Sequence, residues 1–248
     1  MELPAADRTD DAKRAAGRAA ADLVESGMRL GLGTGSTTAF AIEAIGQRVA
    51  AGGLNVVGVP TSFAAERLAR RHGVPLATLA DLGLDALPSS QPPLDLALDG
   101  ADEVDPKLAL VKGRGAAHVR EKVIASLAAR FAVLVDGSKL VDRLGTSAPV
   151  PVEVLPFAEP AVTRALRALG AEPQLRMGSQ KDGPVVTDQG LWVLDAYVDG
   201  VADAAALDAQ VNAIPGVLGH GLFVDLATDV LVGEPDGQVR HLVRPHRR

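Results

Sequence analysis

The run Leu94 to Leu98, apolar except for Asp95, stops at Asp99-Gly100-Ala101-Asp102. A short apolar run ending in Gly and Asp reads as a buried strand that delivers its last residues to the rim of a sheet. In open α/β sheets that C-terminal rim is where ligands bind. A second run, Leu108 to Val111, leads into Lys112-Gly113-Arg114-Gly115. Beyond it, Val119, Val123, Leu127 and Phe131 stand four residues apart. That spacing predicts a helix over Ala116 to Phe131 with those four on its apolar face and Glu121 on the flank. Two acids, a lysine, a glycine turn and a further acid thus gather at strand ends. Such a concentration suits a reaction site better than a scaffold.

The chain before this stretch alternates between strand and helix. Asp10 or Asp11 is placed to cap a first helix that Gly27 ends, with Lys13 in its first turn. Met28 to Leu32 reads as a strand, followed by Gly33-Thr34-Gly35-Ser36-Thr37-Thr38 and a helix through about Val49. Glycine lets the backbone curl there, so that successive N–H groups and the helix N-terminus face outward. With the hydroxyls of Ser36, Thr37 and Thr38 this makes a phosphate-binding loop; the plainer reading is a tight turn capped by Ser or Thr. Leu54 to Val59 is a strand, Thr61-Ser62 caps a helix reaching His72-Gly73, and Val74 to Ala77 makes a short strand. Leu82 to Pro93 is a surface loop. Phe131 to Val135 is a further strand ending in Asp136-Gly137-Ser138-Lys139, which puts Lys139 at a strand end.

After Pro149 the pattern changes. Val150 to Leu155, a helix from about Ala161 to Leu169, Leu175 to Met177 with Val185 to Thr187, a turn at Asp188-Gln189-Gly190, Leu191 to Val198, a helix over Ala204 to Ala213 and Val217 to Val224 follow in order. This β-α-β-β-α-β sequence predicts a small ferredoxin-like module. Val230 to Val232 and Val239 to Val243 are terminal strands expected to return to the first domain.

Composition removes several classes of function. A net charge of −6 disfavours a nucleic-acid partner, because phosphate contacts demand clustered Lys and Arg. Arg244, His246, Arg247 and Arg248 read as a solvated end. The absence of cysteine excludes disulfides, thiolate catalysis and sulfur-ligated metals. MELPAADRTDD is acidic, without the apolar centre of a signal peptide, and no apolar run approaches the roughly 18 residues of a membrane span. The expectation is a cytoplasmic enzyme or binding protein. The histidines, His72, His118, His220, His241 and His246, show no paired metal-ligand spacing.

A dinucleotide site is the obvious rival reading of GLGTGS. It requires a third glycine, where Thr38 stands, and an acid near the end of the next strand, which instead ends at Val59-Pro60-Thr61-Ser62. The Gly-Lys-Ser/Thr of a P-loop is also missing. A small phosphate ester suits the loop better than NAD or ATP. Taken singly, Asp99 and Asp102 read equally well as turn formers, Lys112 and Lys139 as surface lysines, and Glu121 as an ordinary helix charge. Their joint placement at strand ends favours function.

GLGTGSTT, LDGADEVDP, LVKGRGAAHVREKVIA, VDGSKLVDRLG and PVPVEVLPFA, with VTDQG, NAIPGV and GLF further on, together resemble the signature blocks of the ribose-5-phosphate isomerase type A family. The resemblance extends over nearly the whole chain. It implies an α/β fold: a Rossmann-like parallel-sheet domain (1–144 and 224–248) with an inserted ferredoxin-like α+β domain (145–223). It implies that Glu121 is the general base and that Asp99, Asp102 and Lys112 complete the catalytic group. By the same resemblance Thr34, Gly35, Ser36 and Thr37, the turn Asp99-Gly100-Ala101-Asp102, Lys112, Gly113, Arg114, Gly115 and Lys139 line the sugar-phosphate site, with Lys13 a further phosphate contact. The implied reaction interconverts D-ribose 5-phosphate and D-ribulose 5-phosphate without a metal or organic cofactor, in a homodimer or homotetramer. Two rivals are a sugar-phosphate sensor that binds without turnover and another phosphosugar enzyme such as an amino-sugar phosphate deaminase. The first normally carries an added helix-turn-helix; the second would rely on a histidine, for which His118 is the candidate. The chain departs from the family at Arg114, where Gly is usual, and at His118, where an apolar residue is usual. If position 114 requires φ > 0, arginine is costly there.

Overall fold

The computed structural model describes residues 5–88 and 90–244. The basic residues His246, Arg247 and Arg248, the loop residue Ser89 and the first four residues of the acidic N-terminus lie outside them. In chain order the elements are α1 (Ala5–Asp22), β1 (Arg29–Leu32), α2 (Ser36–Ala50), β2 (Val57–Pro60), α3 (Phe63–Arg71), β3 (Leu94–Gly100), β4 (Glu103–Val104), β5 (Leu110–Val111), α4 (His118–Ser126) and β6 (Ala128–Asp136). There follow β7 (Val150–Val154), α5 (Glu159–Ala168), β8 (Glu172–Leu175), β9 (Trp192–Tyr197), α6 (Ala204–Asn212), β10 (Val217–His220), β11 (Leu222–Phe223), β12 (Asp229–Gly233) and β13 (Val239–Val243). The chain divides into two compact units. One comprises the chain up to Gly100, Arg120–Ser138 and the chain from Leu226 onward; the other comprises Ala101–Val119 and Lys139–Asp225.

The first unit is built on a six-stranded sheet in the order β13-β12-β6-β3-β1-β2. All neighbours are parallel except β13, which runs antiparallel to β12. The two terminal strands thus join the first domain, as expected. β3 is buried along most of its length, as a parallel strand covered on both faces must be. The polar interruption at Asp95 is explained locally, since its Oδ2 accepts the N–H of Arg29 at 2.7 Å. Leu30, Leu32, Leu96, Leu98, Leu134 and Leu231 from the strands meet Ala16, Ala20, Ile42 and Ile45 from α1 and α2 in one core.

Three expectations for this unit require correction. α1 begins at Ala5 and ends at Asp22, so Asp10 and Asp11 are internal, Lys13 lies beyond the first turn, and Gly27 (φ 95°) serves the turn into β1. The strand expected over Val74 to Ala77 reduces to a single bridge between Gly58 and Leu76. The long helix to Phe131 is really α4 followed directly by β6, where Phe131 pairs with Ala97. The four-residue apolar spacing ran across a helix–strand junction. Val123, assigned to the apolar face, is 44% exposed, while His118, Glu121, Ile124 and Ala125 are the buried positions of α4. Ile124 lies against Gly31 of β1, where an added Cβ would be 2.3 Å from its Cγ2.

The second unit carries the expected β-α-β-β-α-β order, with β10-β7-β9-β8 forming an antiparallel sheet. Its second strand, however, is Glu172–Leu175, and the strands expected over Leu175 to Met177 and Val185 to Thr187 reduce to single bridges at Met177 and Val186. Val152, Val154, Val162, Leu166, Leu194 and Val211 make its core. The predicted strand Val217 to Val224 breaks at Gly221. Val217–His220 joins the four-stranded sheet, while Leu222–Phe223 pairs with β5 in a second sheet, β11-β5-β4. In β4, the buried carboxylate of Glu103 accepts the N–H groups of Gly145, Ser147 and Ala148 and so fixes that loop. No helix among the described residues is long and apolar enough to cross a membrane.

Candidate active site

In the first unit β1 connects outward to β2 on one side, while β3 lies on its other side. The β1/β3 seam is therefore the switch point of the sheet, where loops diverge and leave a crevice at the strand ends. The glycine loop and the end of β3 meet there. Asp99 Oδ1 accepts the N–H of Thr34 at 3.1 Å and of Gly100 at 2.8 Å. Gly33 is required for this approach: a Cβ at position 33 would stand 2.2 Å from Asp99 Cγ. Gly35 has φ 122°, a value that L side chains rarely adopt, and turns the chain into α2. Among the described residues no side chain caps α2, whose first N–H groups thus open at the rim.

Thr34 Oγ1 shares hydrogen bonds with Ser62 Oγ at 2.6 Å and Thr61 Oγ1 at 3.1 Å. Ser62 also accepts the N–H of Ala65 and so caps α3, as expected. The reading from sequence saw only the cap and missed that Thr61 and Ser62 brace the loop; two adjacent hydroxyls after β2 were the available signal. The loop and α3, including Arg67 and Arg71, border a cavity of about 310 Å³. Ser36 is exposed and Thr37 buried.

Glu121 lies in the first turn of α4 and is 6% exposed, and Asp99 is 3% exposed. Carboxylates this deeply buried are uncommon outside ion-paired or functional positions. Arg120 ties the same helix to the rim, donating to Pro60 O at 3.4 Å and lying over the Phe63 ring. Lys13 is ion-paired with Asp10 at 3.7 Å on α1, whose Ala12 packs on Gly233 at the end of β12. After β6, Asp136 accepts the N–H and hydroxyl of Ser138 in the short turn Gly137–Lys139, which carries Lys139.

The second unit holds the other predicted residues. Asp102 Oδ2 accepts the N–H of Arg114 at 3.0 Å, so these two are brought together. Ala101 lies between the end of β3 and Asp102. Lys112 is 3% exposed; its N–H donates to Gly221 O at 2.8 Å, and its Nζ lies 5.5 Å from the centre of the Phe223 ring. The positive φ values of this loop fall at Gly113 (108°) and Ala116 (59°), not at Arg114 or Gly115. Arginine at 114 therefore carries no backbone strain, and its side chain is exposed. His118 packs against Gly113, where an added Cβ would lie 2.7 Å from Nδ1. Arg176 reaches the same loop through its guanidinium and was not singled out from the sequence. Among the described residues no three His, Asp or Glu side chains are grouped so as to hold a metal ion.

Comparison with known proteins accords with this arrangement. Residues 57–237 match the family model of ribose 5-phosphate isomerase A (phosphoriboisomerase A). A ribose-5-phosphate isomerase A of Thermosynechococcus vestitus is 58% identical over 236 residues, covering 93% of this chain and 96% of the relative. A ribose 5-phosphate isomerase A structure from Methanocaldococcus jannaschii superposes with TM-score 0.87 at 43% identity, covering 95% of this chain and 99% of that one. A D-ribose-5-phosphate isomerase in complex with phospho-erythronic acid gives TM-score 0.88 at 44% identity, with the same coverage. The chain belongs to the ribose-5-phosphate isomerase A family.

Proposed function

We propose that this protein interconverts D-ribose 5-phosphate and D-ribulose 5-phosphate through a cis-enediolate, as a step of the pentose phosphate pathway. The observation that carries the reading is the burial of Asp99, Lys112 and Glu121, each 6% exposed or less, in a chain of this family. Phospho-erythronic acid, present in a related structure, supports it: a phosphorylated sugar acid carries a planar carboxylate shaped like an enediolate.

In this reading Asp99 opens the sugar ring by passing a proton between the anomeric hydroxyl and the ring oxygen. Its orientation is set by the Thr34 and Gly100 N–H groups. Glu121 takes the C2 proton and returns it to C1, while the hydroxyl proton of O2 ends on O1. Negative charge builds on the enediolate oxygens, which Lys112 and the N–H groups of its loop stabilise. Asp102 orients sugar hydroxyls. Thr34, Gly35, Ser36 and Thr37, with Lys139 and Lys13, hold the phosphate, so that a non-reacting group fixes the reacting carbons. Neither a metal nor an organic cofactor enters these steps.

We place the enzyme in the cytoplasm and assign it a homodimeric or homotetrameric state. Phe157 at 97% and Leu155 at 50% exposed, two residues apart on the second unit, support self-association, as grouped apolar side chains left in water mark contact surfaces. The activity is tested by a coupled assay for ribulose 5-phosphate with Glu121→Gln as comparison. The variant is expected to lose at least about a hundredfold in kcat. Full activity in it would remove Glu121 from the role of base.

A further inference from the structure

Arg176 follows β8 and is pinned through its own backbone: its N–H donates to Val193 O at 2.9 Å and its carbonyl accepts from Val185 at 2.8 Å. One edge of its guanidinium is occupied by Asp195, with Nε 2.8 Å from Oδ2 and Nη2 bonded to Oδ1. Its Nη1 donates to two successive carbonyls, Gly113 O and Arg114 O, each at 3.0 Å. Both side chains of the pair are mostly buried, at 16% and 14% exposed.

Successive carbonyls of an extended strand point to opposite sides, so presenting two of them to one group requires the chain to curl. Gly113, at φ 108°, provides the curl, and the turn closes with Ala116 N–H on Gly113 O at 3.0 Å. In a trans peptide the N–H points opposite to the C=O. The N–H groups of Arg114 and Gly115 therefore both face away from Arg176. The first donates to Asp102 Oδ2, while the second has no acceptor among the described residues. Successive N–H groups turned to one side form a concavity suited to anionic oxygen.

We propose that Arg176, braced by Asp195, is a positioning residue for the reaction: by gripping the carbonyls of residues 113 and 114 it sets the direction of the Arg114 N–H, which holds Asp102, and of the Gly115 N–H, which the loop bearing Lys112 presents to substrate. This rests on the reading of Lys112–Gly115 as part of the site. Asp195 neutralises the guanidinium, so the arginine acts through its hydrogen bonds and not through a field at the reacting carbons. Lysine cannot substitute. Its ammonium lacks the rigid planar fork that meets a carboxylate on one edge and two carbonyls at another corner.

The test is steady-state kinetics on full-length enzyme carrying Arg176→Lys, Arg176→Ala, Asp195→Asn or Lys112→Met, with thermal melts of each. Arg176→Lys and Arg176→Ala are expected to lower kcat about tenfold to a hundredfold while KM stays within about threefold, as misplacement of transition-state donors does. Asp195→Asn falls between them and the parent. Millimolar guanidinium, but not ammonium, restores a part of kcat to Arg176→Ala. Retention of kcat within about twofold in Arg176→Ala, beside an inactive Lys112→Met, overturns the positioning role alone. A fully active Lys112→Met overturns the reading of the loop and this inference with it. A loss of activity that follows the melting temperature and is not rescued by guanidinium assigns Arg176 to stability and also overturns the proposal.

Discussion

Asp99 lies so close beneath Gly33 that a methyl group at position 33 would stand 2.2 Å from its carboxyl carbon. The glycine of this loop is thus a matter of room for an acid as much as backbone freedom. Gly33→Ala is expected to displace Asp99 from the Thr34 N–H, lowering kcat by about a hundredfold and stability by about 1–3 kcal/mol. Kinetics and urea denaturation measure the two effects. An alanine variant with parental turnover would show that Asp99 need not occupy this position.

Thr34→Val removes the hydroxyl that joins Ser62 and Thr61 but keeps the N–H that holds Asp99. The expected result is a KM for ribose 5-phosphate raised by about three- to tenfold, with kcat changed by less than about threefold. Inorganic phosphate should weaken as a competitive inhibitor by a similar factor. A fall confined to kcat would place Thr34 with the reacting carbons and not with the phosphate.

Burial alone would raise the carboxyl of Asp229, but hydrogen bonds from Arg130, Thr228 and His241 outweigh it and hold the group below the ordinary aspartate range. Its stabilising contribution is therefore complete above the unfolded value of 3.8 and is lost as pH falls through the lower folded value. Asp229→Asn should cost about 2 kcal/mol at pH 7 and show a shallower loss of stability on acidification. Urea midpoints measured from pH 7 to pH 2.5 give the comparison; parallel curves would contradict it.

Glu153 behaves in the opposite sense. Burial within β7 pushes it above the ordinary 4.5, against the hydrogen bond from Thr187 and with help from the charge of Asp188. As pH rises past 4.5 the unfolded chain ionises first, so stability declines until the folded group has also ionised. Glu153→Gln retains an acceptor for Thr187 and removes that decline. Relative to the parent, the variant should gain melting temperature at pH 7 and lose the gain near pH 4. Equal differences at both values would show that Glu153 ionises alike in the folded and unfolded chains.

The glycine loop was legible because its geometry is local: strand, Gly-rich turn and hydroxyl-bearing helix start are consecutive in the chain. The orientation of Glu121 was not. Apolar spacing selected Val119 and Val123, whereas α4 turns His118 and Glu121 inward. The buried face of α4 carries a histidine and a glutamate beside Ile124 and Ala125 and so lacks a continuous apolar stripe, which is why periodicity misled there. The split at Gly221 was hidden for a related reason, because one apolar run serves two sheets. Arg176 left no trace in its neighbourhood. It meets Gly113 from 63 positions away, and only the folded β8–β9 region brings them together.

Gly221 receives the Lys112 N–H on its carbonyl and gives its own N–H to Pro151 O at 2.7 Å. A Cβ there would lie 2.0 Å from Lys112 O. The lysine is thereby indexed to β7 through a single intervening residue, like a gauge read against a fixed post. Drift in the surface of the four-stranded sheet is harmless so long as that spacing holds, while any side chain at 221 would push the lysine backbone aside without touching a reactive group. Loss of activity at this position, which carries no reactive group but holds the Lys112 backbone, would look like a folding defect unless the register of that one strand were measured.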